Sequence, residues 1–198
     1  MYDSLIRTEE YKGCKIELHY DLSPESPRDW GWKDVIYSNH RNINPDNHTI
    51  DEILDDDGKI SKEFKETHVY LSLYSYSHGG TTIRTTPFND RFDSGFFGII
   101  AISKDNIKKE TGHKIVTKKD RENYIRFLEG RVEVYDQYIN GQVYGYVALG
   151  KDGEELHSCW GYFGDEDDCI SDAKDIVESH LKDLEHQACD FWSGENVA

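Results

Sequence analysis

Apolar and polar positions alternate along much of the chain, and the period changes tell where one element stops and another begins. EEYKGCKIELHYD places Tyr11, Ile16, Leu18 and Tyr20 at strand spacing around Lys12-Gly13, which predicts a strand or hairpin. DVIYSNH (34–40) reads as a second strand, and HVYLSLYSYSH (68–78) as the clearest one. Gly79-Gly80 then predicts a tight turn into TTIRTTPF. GFFGIIAIS (95–103) is almost wholly apolar, so it is expected at the centre of a sheet with both faces covered. QVYGYVALG and EELHSCWGYFG flank Lys151-Asp152-Gly153 and predict a further hairpin.

Helical spacing takes over in four places. Thr49 and Glu52 form a capping box ahead of IDEILDD. Ser103 caps KDNIKKET, which Gly112 ends. Thr117 and Asp120 open a longer helix, in which Ile125, Leu128, Val132, Tyr135 and Ile139 recur at three and four and Gly141 ends the run. A last helix is expected from about 168 to 188, with Ile170, Ala173, Val177, Leu181, Leu184 and Ala188 as its apolar stripe. The expected fold is α+β: one mostly antiparallel sheet of about five to seven strands, packed by two long helices, in a single domain over 1–198.

Composition sharpens this. The 198 residues include 13 Tyr, 8 Phe and 4 Trp, enough aromatic material for a packed core. No long apolar run predicts a membrane span, and MYDSLIRTEEYKG lacks the cationic and apolar regions of a secretory signal, so a cytoplasmic location is expected. The four cysteines, Cys14, Cys159, Cys169 and Cys189, form no paired metal-ligand spacing and are expected as reduced thiols.

Charge changes the picture most. Thirty-nine acidic residues against 23 basic ones give −16, which disfavours nucleic acid and anionic membranes as partners and favours a basic macromolecule. Ten acids fall between 165 and 190: Asp165, Glu166, Asp167, Asp168, Asp172, Asp175, Glu178, Asp183, Glu185 and Asp190. Only Lys174 and Lys182 oppose them, leaving −8 in that stretch. The first four suit a helix N-terminus, whose dipole attracts negative charge. The later ones need another reason: a solvated face, or a surface that occupies a basic groove built for phosphates. Residues 104–131 are the reverse, with nine basic against five acidic side chains.

Catalytic motifs are sparse. Asp93-Ser94-Gly95 precedes a strand, whereas a nucleophile elbow needs Gly-x-Ser-x-Gly between strand and helix, so a turn is expected there. DDDGKI (55–60) fails as a calcium loop, because Ile53 and Phe64 would fall at its first and last ligand positions. Nine histidines leave open a metal site drawn from His19, His40, His68 and His78 with Asp21, Asp34 or Asp93. A metal-assisted hydrolase or a nucleotide-modifying enzyme is therefore the alternative class. No cofactor motif is present in the sequence, so no cofactor is expected.

YKGCKIEL, TTPFNDRFDSGFFGIIAIS, EVYDQYINGQVYGY and SCWGYFG together resemble a family of small proteins from phages, prophages and mobile elements. Members typically carry Tyr-Lys-Gly-Tyr, Trp-Asp-Ser-Gly and Cys-Trp-Gly in that order; here Cys14 and Phe92 replace the second Tyr and the Trp. The resemblance carries over no catalytic residue. It implies provenance, and with it an expected role as an inhibitor of host defence of the anti-CRISPR or anti-restriction kind, or as a phage accessory or assembly protein. On this reading the acids of 165–190 contact the partner, with Trp160, Tyr162, Phe163 and Trp192 as aromatic anchors.

Overall fold

Lys12 and Gly13 both take positive φ, 51° and 81°, the backbone of a two-residue hairpin turn whose twist matches its strands. The computed structural model describes the backbone of residues 4–90 and 92–194, and side chains as far as 186. The turn joins β1 (Leu5–Tyr11) to β2 (Cys14–Tyr20). After a 3₁₀ turn at Pro27–Asp29 comes β3 (Val35–Ser38), then a second 3₁₀ turn at Ile50–Ile53. Next follow α1 (Lys62–Thr67), β4 (His68–Ser77), β5 (Thr81–Arg84) and β6 (Ser94–Ser103). The chain continues through α2 (Lys104–Thr111), α3 (Lys118–Ile139), β7 (Val143–Leu149), β8 (Glu155–Phe163) and α4 (Glu166–Gly194).

The class is α+β, but the sheet is not one of five to seven strands. Two antiparallel four-stranded sheets form, in the orders β1-β2-β7-β8 and β3-β6-β4-β5. They belong to two compact units, one of residues 1–25 with 141–198 and one of residues 26–140. The second unit is inserted, in sequence, between β2 and β7 of the first. Strand spacing shows which face a residue takes but not which strand lies beside it. The pairing of Leu18 with Tyr146 spans most of the chain and leaves no local trace.

In the discontinuous unit, α4 covers one face of the sheet. Ile16, Leu18, Tyr146 and Ala148 pack there against Cys169, Ile170, Ala173 and Val177. The expected stripe of α4 is thus buried over its first three turns, while Leu184 is 48% exposed. The helix begins at 166 rather than 168 and continues past 188.

In the inserted unit, β6 is central, as its apolar run predicts, and both faces of its second half are covered. On one side Leu128, Val132 and Tyr135 of α3 and Ile107 of α2 pack on Ile36, Val69, Leu73, Ile83 and Ile100. On the other, Ile53 and Phe64 pack on Ile99 and Ala101. Phe64 belongs to α1, which the sequence reading missed: a six-residue helix is too short for periodicity to reveal, and only its Ser61 cap marks it. Both capping boxes form. The Thr117 hydroxyl accepts from the Asp120 N–H at 3.1 Å, and the Glu52 carboxylate accepts from the Thr49 N–H at 2.7 Å.

One buried ion network ties this unit together. Arg28 donates to Asp34 at 2.6 Å and to both oxygens of Asp46, at 2.9 and 2.6 Å. Asp46 also accepts the Ile36 N–H at 2.6 Å, which occupies the outer edge of β3. The guanidinium of Arg131 lies 3.5 Å from the centre of the Trp32 ring, a cation–π contact.

Candidate functional site

The acids of α4 fall on two flanks of the helix with different surroundings. One flank faces β1 and is matched by bases. Arg7 donates to Asp167 at 2.7 Å and lies 3.7 Å from Glu166. Lys12 and Tyr11 both donate to Glu178 at 2.6 Å, and Lys182 sits 4.0 Å from it. These bonds hold the Glu178 carboxyl well below its ordinary range, at about 2. Lys174 reaches out to Glu9 at 2.5 Å. Glu185 lies further along the helix, exposed.

The other flank is different. Asp165, Asp168, Asp172, Asp175 and Asp183 recur at spacings of three, four, three and eight, so they line one side of the helix. All five are exposed, and none has a basic partner among the described residues. Asp172 accepts the Tyr162 hydroxyl at 2.9 Å, and Asp165 accepts the Asp167 N–H at 2.8 Å. The side chains of Asp168, Asp175 and Asp183 make no hydrogen bond or ion pair to any described residue. Neighbouring carboxylates on a helix repel by about 0.2–0.5 kcal/mol per pair; the helix dipole offsets this for Asp165 and Asp168 at the N-terminus and the Tyr162 hydroxyl for Asp172, which leaves Asp175 and Asp183 without local compensation.

The proposed aromatic anchors separate. Tyr162 points towards α4, where it bonds Asp172 and packs beside Tyr146. Trp160 is on the face of the same sheet opposite to the one that α4 covers. It pairs with Gly145, next to His19, and its ring lies flat over Gly145, where an added Cβ would come within 2.3 Å of the indole. Trp160 and the aspartates therefore occupy different faces of their unit. Phe163 ends β8 and is half-buried. The side chains of Asp190, Trp192 and Cys189 lie outside the described residues.

The histidines scatter. His19 bonds Ser4 at 3.1 Å and Glu17 at 3.3 Å. His40 packs by Phe97, and His68 stacks on Phe64 with ring centres 4.2 Å apart, where burial lowers its pKa. His78 meets Asp93 at 3.1 Å. Among the described residues no three His, Cys, Asp or Glu side chains gather as a metal would require. Cys14, Cys159 and Cys169 are free thiols, and burial pushes Cys169 up to about 12.

Asp93 lies in a bend, and Ser94 and Gly95 are the first residues of β6, with no nucleophile elbow. The Ser94 hydroxyl donates to the Asp90 carbonyl, and Asp90 Oδ1 accepts the N–H groups of Phe92 and Asp93 at 2.8 and 2.7 Å. The Asp55 side chain likewise closes its loop by accepting the Asp57 and Lys59 N–H groups. No described helix is long and apolar enough to cross a membrane. No protein-family model, curated protein or solved structure matches this chain.

Proposed function

We propose that the protein is a binding inhibitor that docks the unmatched flank of α4 into a basic, nucleic-acid-binding surface of a host defence complex. The observation that carries this reading is the contrast between the two flanks of one helix. Glu166, Asp167 and Glu178 are matched by Arg7, Lys12 and Lys182, whereas Asp168, Asp175 and Asp183 are left without partners among the described residues. A solvated face needs no such segregation. Aspartates with short side chains, held on a helix packed to its sheet by Ile170, Ala173 and Val177, form a pre-ordered array of negative charge. A groove that binds phosphates through Lys and Arg recognises such an array by the same electrostatics. The sequence resemblance to phage and mobile-element proteins supports the host-defence setting.

Expression of the protein in a host with an active restriction or CRISPR system should restore plating of a targeted phage. The variant D168K/D172K/D175K/D183K should lose at least tenfold of that restoration while keeping the circular dichroism of the wild type. Undiminished restoration by the folded variant rejects docking through this flank.

A further inference from the structure

The stretch that joins α2 to α3 is a basic counterpart of the α4 flank. Gly112, with φ of 71°, ends α2, Thr117 caps α3, and a mostly exposed loop runs between them. The loop is held in place. Asp120, buried at the start of α3, accepts from the Thr117 N–H at 2.9 Å and the Thr117 hydroxyl at 2.8 Å, and it bonds His113 Nδ1 at 2.9 Å.

The charges around this loop sort as those of α4 do, with the signs exchanged. Every acid from 105 to 122 is engaged. Asp105 accepts from Lys108 at 2.9 Å, Glu110 accepts from the Tyr124 hydroxyl, Asp120 is bonded as above, and Glu122 lies 3.8 Å from Lys118. The side chains of Lys109, Lys114, Lys119 and Arg121 are exposed and make no hydrogen bond or ion pair to any described residue. One chain thus carries four unmatched cations around a held loop and, in its other unit, the unmatched aspartates of α4. Those aspartates run from 165 to 183, about 27 Å of helix, which gives room for several contacts.

An exposed apolar side chain stands beside each array. Ile115, next to Lys114, is 72% exposed, and Leu184, next to Asp183, is 48% exposed. A phosphate backbone would answer the cations and leave Ile115 in water. A protein surface whose acids border an apolar group answers both. The charge of −16 on each copy opposes approach at long range. At about 150 mM salt the Debye length is about 8 Å, so repulsion between whole molecules is screened while pairs in contact persist.

We infer that the basic end of the inserted unit, formed by Lys109, Lys114, Lys119 and Arg121, docks on the unmatched flank of α4 in a second copy of the chain. The two patches differ, so the contact is head-to-tail, and it either closes on itself or continues as a chain of copies. As a device that occupies the flank until an effector displaces it, the pairing rests on the docking reading above; as an association of copies it stands without it.

The test uses the purified chain alone, by sedimentation velocity at about 150 mM salt over a hundredfold range of concentration. The wild type should pass from monomer to larger species as concentration rises, and about 1 M salt should return it to monomer. K109E/K114E/K119E/R121E and D168K/D172K/D175K/D183K, each with the circular dichroism of the wild type, should associate at least tenfold more weakly. Their equimolar mixture should associate again, because each reversed patch then meets its complement. A wild type that stays monomeric throughout, variants that associate as the wild type does, or a mixture that stays monomeric overturns the inference. So does a fluorescent twelve-residue oligothymidylate that binds the wild type but not K109E/K114E/K119E/R121E while the copies stay apart, since the cations then belong to nucleic acid. The plating assay separates this inference from the docking reading. K109E/K114E/K119E/R121E keeps the flank and should restore plating at least as fully as the wild type; weaker restoration overturns the device. Failure of the wild type to restore plating rejects docking and leaves the association of copies standing, and a monomeric wild type that restores plating does the reverse.

Discussion

At the scale of single residues, two charged groups show how differently this chain handles charge. Arg28 and Asp34 are almost wholly buried, with side chains 4% and 0% exposed. Such a network is tolerable only because each carboxylate is bonded; removing one member strands the others. Arg28→Met should therefore destabilise by about 3–5 kcal/mol, measured by denaturant unfolding. A loss under about 1 kcal/mol would mean the network is replaceable by apolar packing. Glu178 is the surface counterpart. Its folded pKa is depressed, so its contribution is present above the ordinary carboxylate range and disappears as pH falls towards about 2. The stability of Glu178→Gln should accordingly fall less steeply with acid between those limits than that of the wild type. Identical slopes would show that Lys12 and Tyr11 contribute nothing to acid stability there.

Much at this scale was legible. Capping residues announce themselves because their partners are three positions away: Thr117 with Asp120, Ser103 with the Asn106 N–H. Arg28, Asp34 and Asp46 were not legible as a network, since nothing in the order of the sequence says that a loop arginine will be buried between two aspartates. The partition of the acids was likewise hidden. Glu178 and Asp175 look alike in sequence, and only the register of β1 and β2 beside α4 places Lys12 against one and nothing against the other.

At the scale of elements, the strands β4, β6, β7 and β8 and the helices α2, α3 and α4 followed from periodicity and caps. Their grouping did not. Eight strands sort into two sheets because each long helix takes its own sheet: α3 covers the one centred on β6 and β4, and α4 the one centred on β2 and β7. Periodicity reports that a strand has an inner face but not which helix fills it. A glycine gives a sharp test of the pairing. At Gly98 a Cβ would stand 2.1 Å from the Tyr37 carbonyl oxygen, so β3 and β6 approach as closely as they do only because no side chain intervenes. Gly98→Ala should therefore displace β3, with loss of amide-exchange protection first at Val35 and Tyr37, which pair with Ala101 and Ile99 of β6. Protection unchanged at those two amides would contradict the register described here.

At the scale of the molecule, the net charge belongs almost entirely to one unit. The discontinuous unit carries six basic and twenty acidic side chains, or −14, and the inserted unit 17 against 19, or −2. The lysine-rich stretch of α2 and α3 thus nearly balances its own unit and does not offset the acids of α4. Such segregation serves association more than stability, because charge of one sign on one body raises encounter rates with an opposite partner and makes them salt-dependent.

The most direct measurement of the proposed docking is the dissociation constant for the restriction or CRISPR effector proposed as its partner, followed from about 50 to 200 mM salt, for the wild type and for D168K/D172K/D175K/D183K. The account predicts that wild-type affinity weakens steadily with salt, and that the variant binds at least tenfold more weakly at low salt with a flatter dependence. Equal affinity and equal salt dependence in the two proteins would contradict it.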